Sequence, residues 1–350
     1  MNNPITNKKK YFKGLNGIRA VAAIGVVMGH TASMLNQFPR YAVTMFFTLS
    51  GFLITYLLIT EKEQANSVDL RKFYMRRILR IWPLYFFYLL VVLGTHLFVI
   101  KDGIANAKYL GYFLVFFQNI PICYLNVAPN DMAHLWSIGT EEQFYLFWPF
   151  ILLHVQNKKK FLLLLIVVTL VIRTLCGFYR LKTGNVALFY LVESLRFDCM
   201  AVGSLFAIFY FENNAMLLHF CRSAIVPILF WSLVFLISFY NLSFLSIYLN
   251  NIVTIVTGAF IINQITNKSE RTLLENTPMV FLGKISYGIY IYHPLLISLS
   301  LFFFNIYGVS PRHRFLLPVV IIATILISYL SYTFLEKPFL RKKKNYTVVR

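Results

Sequence analysis

Ten stretches of the chain, near 15–34, 41–60, 78–100, 137–154, 161–178, 196–211, 224–240, 247–265, 280–303 and 315–335, are apolar for long enough to cross a bilayer. A spanning helix needs roughly 17 to 25 such residues. In hydrocarbon, a segment must satisfy its backbone within itself, so each run is expected to be a helix. No room is left for a soluble domain, the longest polar stretches being loops such as 61–72 and 266–278. Composition agrees: 13% of residues are charged, against about 25% in soluble domains. The expected fold class is an all-α polytopic membrane protein with about ten transmembrane helices. It would have one membrane domain, 15–340, between a tail at 1–14 and a basic tail at 341–350.

An eleventh run, 108–120, is short and ends in Gln118 and Asn119. If it crossed, the Lys158-Lys-Lys160 loop would lie outside, against the positive-inside rule. As one short re-entrant or interfacial helix, it leaves that loop, the Arg71 to Arg80 segment and both lysine-rich termini in the cytoplasm. Arg312-His-Arg314 is the exception, placed outside. The net charge of +20 sits in short loops beside apolar runs, where it sets orientation, so no nucleic-acid partner is expected. Cys123, Cys176, Cys199 and Cys221 have neither disulfide nor metal-ligand spacing, so no metal site is expected. The first apolar run is full length and lacks a small-residue cleavage site, so it is expected to remain as a helix.

Ionisable residues inside such runs cost at least ~2.5 kcal/mol each, which marks them as functional candidates. Arg19 and His30 are eleven positions apart. At 100° per residue they return to one helix face, about 16 Å apart along the axis. Arg19, Arg76, Arg77, Arg80 and Glu336 fall near inner ends of the runs, whereas His30, Glu141, Glu142, Arg196, Asp198 and His293 fall in the middle or outer half. The pattern predicts a basic inner mouth and a mixed histidine and carboxylate outer chamber. Arg76 and Arg80, four apart on one face, form a guanidinium fork suited to phosphate. Positive-inside anchoring is the competing explanation, but it does not require three arginines within five residues. A lone His on a helix face is usually a satisfied core residue, a state harder to reach within lipid. Glu142 is also explained by the preference for carboxylates in a first helical turn; Glu141, between Trp136-Ser137 and Phe144-Tyr145, is the stronger functional candidate. Ser50-Gly51 is no nucleophile elbow, because Thr48 stands where that turn needs glycine; the pair reads as close helix packing.

Several segments together resemble the acyltransferase 3 family of bacterial membrane O-acyltransferases. They are Arg19 and His30 with ten residues between them, Ser50-Gly-Phe-Leu53, Arg76-Arg-Ile-Leu-Arg80-Ile-Trp-Pro83 and Trp136-Ser-Ile-Gly-Thr-Glu141-Glu-Gln-Phe-Tyr145. Arg196-Phe-Asp198 before Gly203, Gly283-Lys-Ile-Ser-Tyr287-Gly-Ile-Tyr-Ile-Tyr-His293-Pro294 and Glu336-Lys-Pro338 complete the set, in family order from Tyr11 to Leu340. The resemblance implies a ten-span fold in the bacterial cytoplasmic (inner) membrane. It implies acyl-CoA as donor substrate, acetyl-CoA by default with succinyl or longer chains open, and a carbohydrate or lipid-linked glycan as acceptor. No permanently bound cofactor is implied. Arg19 and His30 match the family's essential pair, Glu141 its acidic motif, and Arg76, Arg77 and Arg80 its donor motif. The chain stops at Arg350 without the extracytoplasmic hydrolase-like domain of some longer members, so acceptor handling by a second domain is not expected.

Ester formation needs a base for the acceptor hydroxyl, a thioester site and stabilisation of an oxyanion. His30 is the expected base, oriented by a partner such as Glu141; whether it also carries the acyl group is open. Tyr290 and Ser286 share a face with His293 and are expected, with Arg196 and Asp198, on the acceptor or oxyanion side. Intramembrane Arg, His, Glu and Asp also suit a proton-coupled transporter or a flippase for an acidic or lipid-linked sugar, although no internal repeat is visible.

Overall fold

The computed structural model describes residues 12–346 apart from 32–34, 36, 102–106, 129, 243–245, 267–270 and 309–312, and every regular element among the described residues is a helix. They are α1 (Leu15–Thr31), α2 (Phe38–Ala65), α3 (Leu70–Gly94), α4 (Leu110–Leu114), α5 (Trp136–His154), α6 (Lys158–Thr183), α7 (Ala187–Leu195) and α8 (Phe197–Phe211). After these come α9 (Ala215–Arg222), α10 (Ile225–Phe239), α11 (Ser246–Thr266), α12 (Arg271–Leu274), α13 (Thr277–Ile306), α14 (His313–Ser331) and α15 (Lys337–Lys343). Polar residues at the edges of the apolar runs start these helices. Asp69, Asn157 and Asn276 each accept a hydrogen bond from a backbone N–H in the first turn of α3, α6 and α13. Gly184, at φ 73°, closes α6.

By length and composition, six helical stretches can cross a membrane: Phe38–Ala65, Leu70–Ile100, Lys158–Thr183, Ile247–Thr266, Thr277–Ile306 and Phe315–Tyr346. The pair α9 and α10, bent by 62°, makes a seventh if it is one span. The chain is therefore a multi-pass helical membrane protein. Of the other expected spans, α1 and α8 are helices of 17 and 15 residues, and α5 carries Glu141 and Glu142. The run at 108–120 is not a continuous helix. It is the five-residue α4 and an irregular return through Phe116, at φ 61°, that folds against α5. There Gln118 donates to the Leu135 carbonyl at 2.8 Å and Gln143 to the Phe116 carbonyl at 2.8 Å, so side chains tie the irregular segment to the start of α5. Lys8 to Lys10 and Arg312, part of the charge argument, lie outside the described residues.

The centre of the bundle is α2 and α11, largely buried, while α6 and α14 turn most of their surface outward. On α6 that surface includes Leu163, Leu164, Val167, Val171 and Leu175, as a lipid-facing helix demands. Helix α2 lies against α8 backbone to backbone at two glycines. A Cβ on Gly51 would stand 2.0 Å from the Met200 carbonyl oxygen, and one on Gly203 would stand 2.2 Å from that of Thr48. The small-residue reading of Ser50-Gly51 is thus right for Gly51. Helix α1 is held between α2 and α13, and a Cβ on Gly283 would meet the Asn16 carbonyl oxygen at 2.1 Å. Farther along the same two helices, His30 of α1 meets His293 of α13.

Two polar networks lock the helices beside this pair. Arg173 of α6 donates to Asp198 of α8 at 2.8 Å and to Asn251 of α11 at 3.0 Å, and Asn251 donates to the same Asp198 oxygen at 2.9 Å. Arg173 and Asp198 are wholly buried. Arg196 donates to Thr44 at 2.7 Å, to Asn250 at 2.6 Å and to the Glu193 carbonyl at 2.8 Å, while Glu193 also pairs with Arg40. Arg196 and Asp198, expected on the acceptor side, are both engaged in helix-to-helix bonds, because a charge inside a bundle needs a partner from the next helix.

Candidate active site

Two clusters of polar side chains flank α1, centred on Arg19 and His30, about 16 Å apart along the helix by its rise per residue. The histidine cluster forms because Gly29 and Gly25 let α2 approach closely at Pro39 and Phe38, while α13 brings its face alongside. His30 stands at the penultimate residue of α1 with an exposed ring, at the helix end rather than deep within the run. Its Nδ1 lies 2.9 Å from Nε2 of His293, which is fully buried and whose Nδ1 lies 2.7 Å from the Tyr290 carbonyl oxygen. His134, just before α5, packs its ring on both His293 and Tyr290 and bonds the Ile291 carbonyl through Nε2 at 3.1 Å. Beyond it, Asp131 bonds His96 at 3.1 Å and takes the Ser298 hydroxyl.

The arginine cluster is built on α3. Arg77 and Arg80 share an electrostatic neighbourhood with Arg19 of α1 and with Glu141 and Tyr145 of α5. Among the described residues, Arg19, Arg77 and Arg80 make no ion pair. Arg77 covers the rings of Tyr145 and Phe73, and its buried Nε has no hydrogen-bond partner. Glu142 accepts from Trp82 Nε1 at 3.0 Å with one oxygen, and its other oxygen, like one of Glu336, is buried without a partner. Arg19, Arg77 and Arg80 thus gather positive charge between α1, α3 and α5, the sign that an anion would need.

The histidines and the arginines do fall into separate groups, but Glu141 and Glu142 belong with the arginines. Glu141 does not orient His30: its oxygens take the Ser50 hydroxyl at 2.8 Å and the Tyr145 hydroxyl at 3.2 Å. The hydrogen-bond partner of His30 is His293. Arg76 is separated from Arg77 and Arg80 by its bonds, donating to the buried Glu61 at 2.7 Å and to the Tyr346 carbonyl at 2.8 Å. Ser286 and Tyr290 are close to the histidine cluster, and their hydroxyls donate to the Gly283 and His134 carbonyls at 2.9 Å each. Among the described residues, no three His, Cys, Asp or Glu side chains are grouped to hold a metal ion.

Sequence reasoning missed His134, Ser50 as the partner of Glu141, and Arg173. Arg173 was detectable by the criterion that found His30, an ionisable residue inside an apolar run. His134 lies just before its run begins, where that criterion does not reach.

A family model described as an acyltransferase domain, Acyl_transf_3, matches residues 12–333. O-acetyltransferase OatA of Staphylococcus aureus (strain NCTC 8325 / PS 47) is 27% identical over 95% of this chain and 58% of its own length. A putative O-acetyltransferase of Staphylococcus aureus (strain COL) is 28% identical over 95% of this chain and 58% of its own. The chain thus spans little more than half the length of these relatives. No solved structure matches.

Proposed function

The chain belongs to the acyltransferase 3 family, and on that footing we propose that it moves an acyl group, acetyl by default, from cytoplasmic acyl-CoA to a hydroxyl of an envelope carbohydrate or lipid-linked glycan. The membrane would be the bacterial cytoplasmic membrane, crossed by ten spans with both tails inside. The observation that carries the reading is the placing of two unlike groups on one helix: Arg19 beside Arg77 and Arg80, which make no ion pair among the described residues, and His30 at the exposed end. The arginines would hold donor phosphates, and the thioester arm would run along α1 toward His30. The acceptor oxygen attacks the thioester carbonyl, the new C–O bond forms and the C–S bond breaks. The hydroxyl proton passes to His30 and then to the departing thiolate. Arg19 and Glu141 act at the donor end, Arg19 toward the donor itself and Glu141 by holding Ser50 and Tyr145 in place.

Membranes containing the protein, incubated with radiolabelled acetyl-CoA, should transfer label to the glycan fraction. Glycan crossing without label would replace this reading with a transporter or flippase. In the same assay Arg77→Ala and Arg80→Ala should each raise the donor concentration needed by ~10–100-fold, because a lost charge-assisted contact is worth about 1.5–3 kcal/mol. Lysine should rescue only partly, lacking the planar fork. Arg76→Ala should instead lower protein abundance, since it strands buried Glu61. Donor titrations that overlay the wild type would reduce Arg77 and Arg80 to an orientation signal.

The ten-span arrangement has its own test. Single cysteines at Asn157 and Asn345, in a cysteine-free background, should be protected from an impermeant thiol reagent in intact cells and react after permeabilisation. Labelling of either in intact cells would invert the assignment of donor and acceptor sides.

A further inference from the structure

The contact between His30 and His293 carries more than proximity. Their ring planes lie within 10° and their centroids 5.1 Å apart. With a nitrogen-to-nitrogen distance of 2.9 Å, that is two rings joined edge to edge by an N–H···N bond, because face stacking would bring the centroids closer than the bonded nitrogens allow. Such a bond holds one hydrogen, and its position follows from what lies beyond. His293 Nδ1 faces the Tyr290 carbonyl oxygen, which only accepts, so Nδ1 carries the hydrogen of the neutral ring. His293 Nε2 is then a bare acceptor, and the shared hydrogen belongs to His30 Nδ1. This leaves the lone pair of neutral His30 on Nε2, the nitrogen turned away from α13 at the exposed ring.

We propose that His293 is a positioning residue, whose buried imidazole acts as the acceptor that fixes the His30 tautomer and makes Nε2 the proton-taking atom. In triad enzymes a carboxylate does this; here a second, neutral histidine does so. The inference rests on the reading of His30 as the base. When Nε2 takes the acceptor hydroxyl's proton, the His30 ring becomes an imidazolium whose Nδ1–H is already directed at the His293 lone pair. The proton leaves from Nε2 to the thiolate, so His293 neither gains nor loses one in a turnover. A neutral partner also avoids burying a carboxylate with no cation beside it. His134 packs against His293 and restrains its ring, with rings 5.4 Å apart at 69°.

Glutamine and asparagine at position 293 separate this role from simple packing. The amide of glutamine reaches where Nε2 stood and offers His30 an oxygen; that of asparagine reaches only the Nδ1 position and offers none. His293→Gln should keep kcat within ~10-fold of the wild type. His293→Asn and His293→Leu should lose roughly 10²-fold in kcat with the KM for donor unchanged, the lower end of what a positioned base contributes. Nitrogen NMR of 15N-histidine protein in liposomes, with His30 assigned by its loss in His30→Ala, should report an unprotonated Nε2 in the wild type and in His293→Gln, and mixed tautomers in His293→Leu. Equal losses in the glutamine and asparagine variants, a change confined to KM, or a His30 tautomer unaffected by His293→Leu would overturn the proposal. If His30→Ala itself retains activity, the reading of His30 as base fails. If His30→Ala is inactive while His293→Leu is as active as the wild type, only the present inference fails.

Discussion

His30→Ala is expected to lower acyl transfer by ~10²–10⁴-fold, the contribution of a general base, while the protein remains inserted and as abundant as the wild type. Abundance should hold because His30 sits in the last turn of α1 with an exposed ring, so that its removal opens no cavity among the helices. The closest backbone approach of α1 to α13 is made elsewhere, at Asn16 and Gly283. The measurement is label from acetyl-CoA in glycan per unit of membrane protein, quantified alongside by blotting. Transfer at the wild-type level would remove His30 from the mechanism. Loss of the protein itself would show that the ring is structural.

The second large effect concerns stability. Asp198→Ala should destabilise the bundle by about 3–5 kcal/mol, the cost of stranding a buried charge, because Arg173 would keep its guanidinium among α6, α8 and α11 without a counter-ion. Leucine at both positions should recover much of the loss, since an apolar pair asks nothing of the dry interior. Thermal loss of helical circular dichroism in detergent would rank the three proteins. If Asp198→Ala and the double variant melt together at the wild-type temperature, the pair contributes nothing to the assembly.

The fold was legible wherever an element's reason for being lay within its own residues. Each of the ten long apolar runs gave a helix, and Asn157 and Asn276 mark two of the starts. Partnership was not legible, because it depends on rotation and depth together. Glu141 and His30 both looked central along their runs, but α5 turns Glu141 toward Ser50 and Tyr145, one turn of its own helix away. The short run at 108–120 could be set apart by length, yet nothing in it revealed that Gln118 would bind the Leu135 carbonyl. The three arginines looked alike in sequence. Only Glu61, at the far end of α2, and the backbone at Tyr346 separate Arg76 from its neighbours. His134 acquires its role through three chain-distant rings, which no local pattern encodes.

The Arg173–Asp198 bond also constrains how the chain is made. Synthesis delivers α6 before α8 and α11, so Arg173 reaches the bilayer with neither Asp198 nor Asn251 yet present. On insertion scales a central arginine costs about 2.5–3.5 kcal/mol, and the long apolar flanks of α6 supply the favourable transfer that carries it in. Once inside, α6 has a reason to stay beside the site of translocation, where α8 soon presents its carboxylate and α11 its amide. The ion pair thereby gives the nascent protein an order of assembly. A chain interrupted between α6 and α8 should hold α6 loosely, with its arginine drawn toward the headgroups, until the next hairpin arrives.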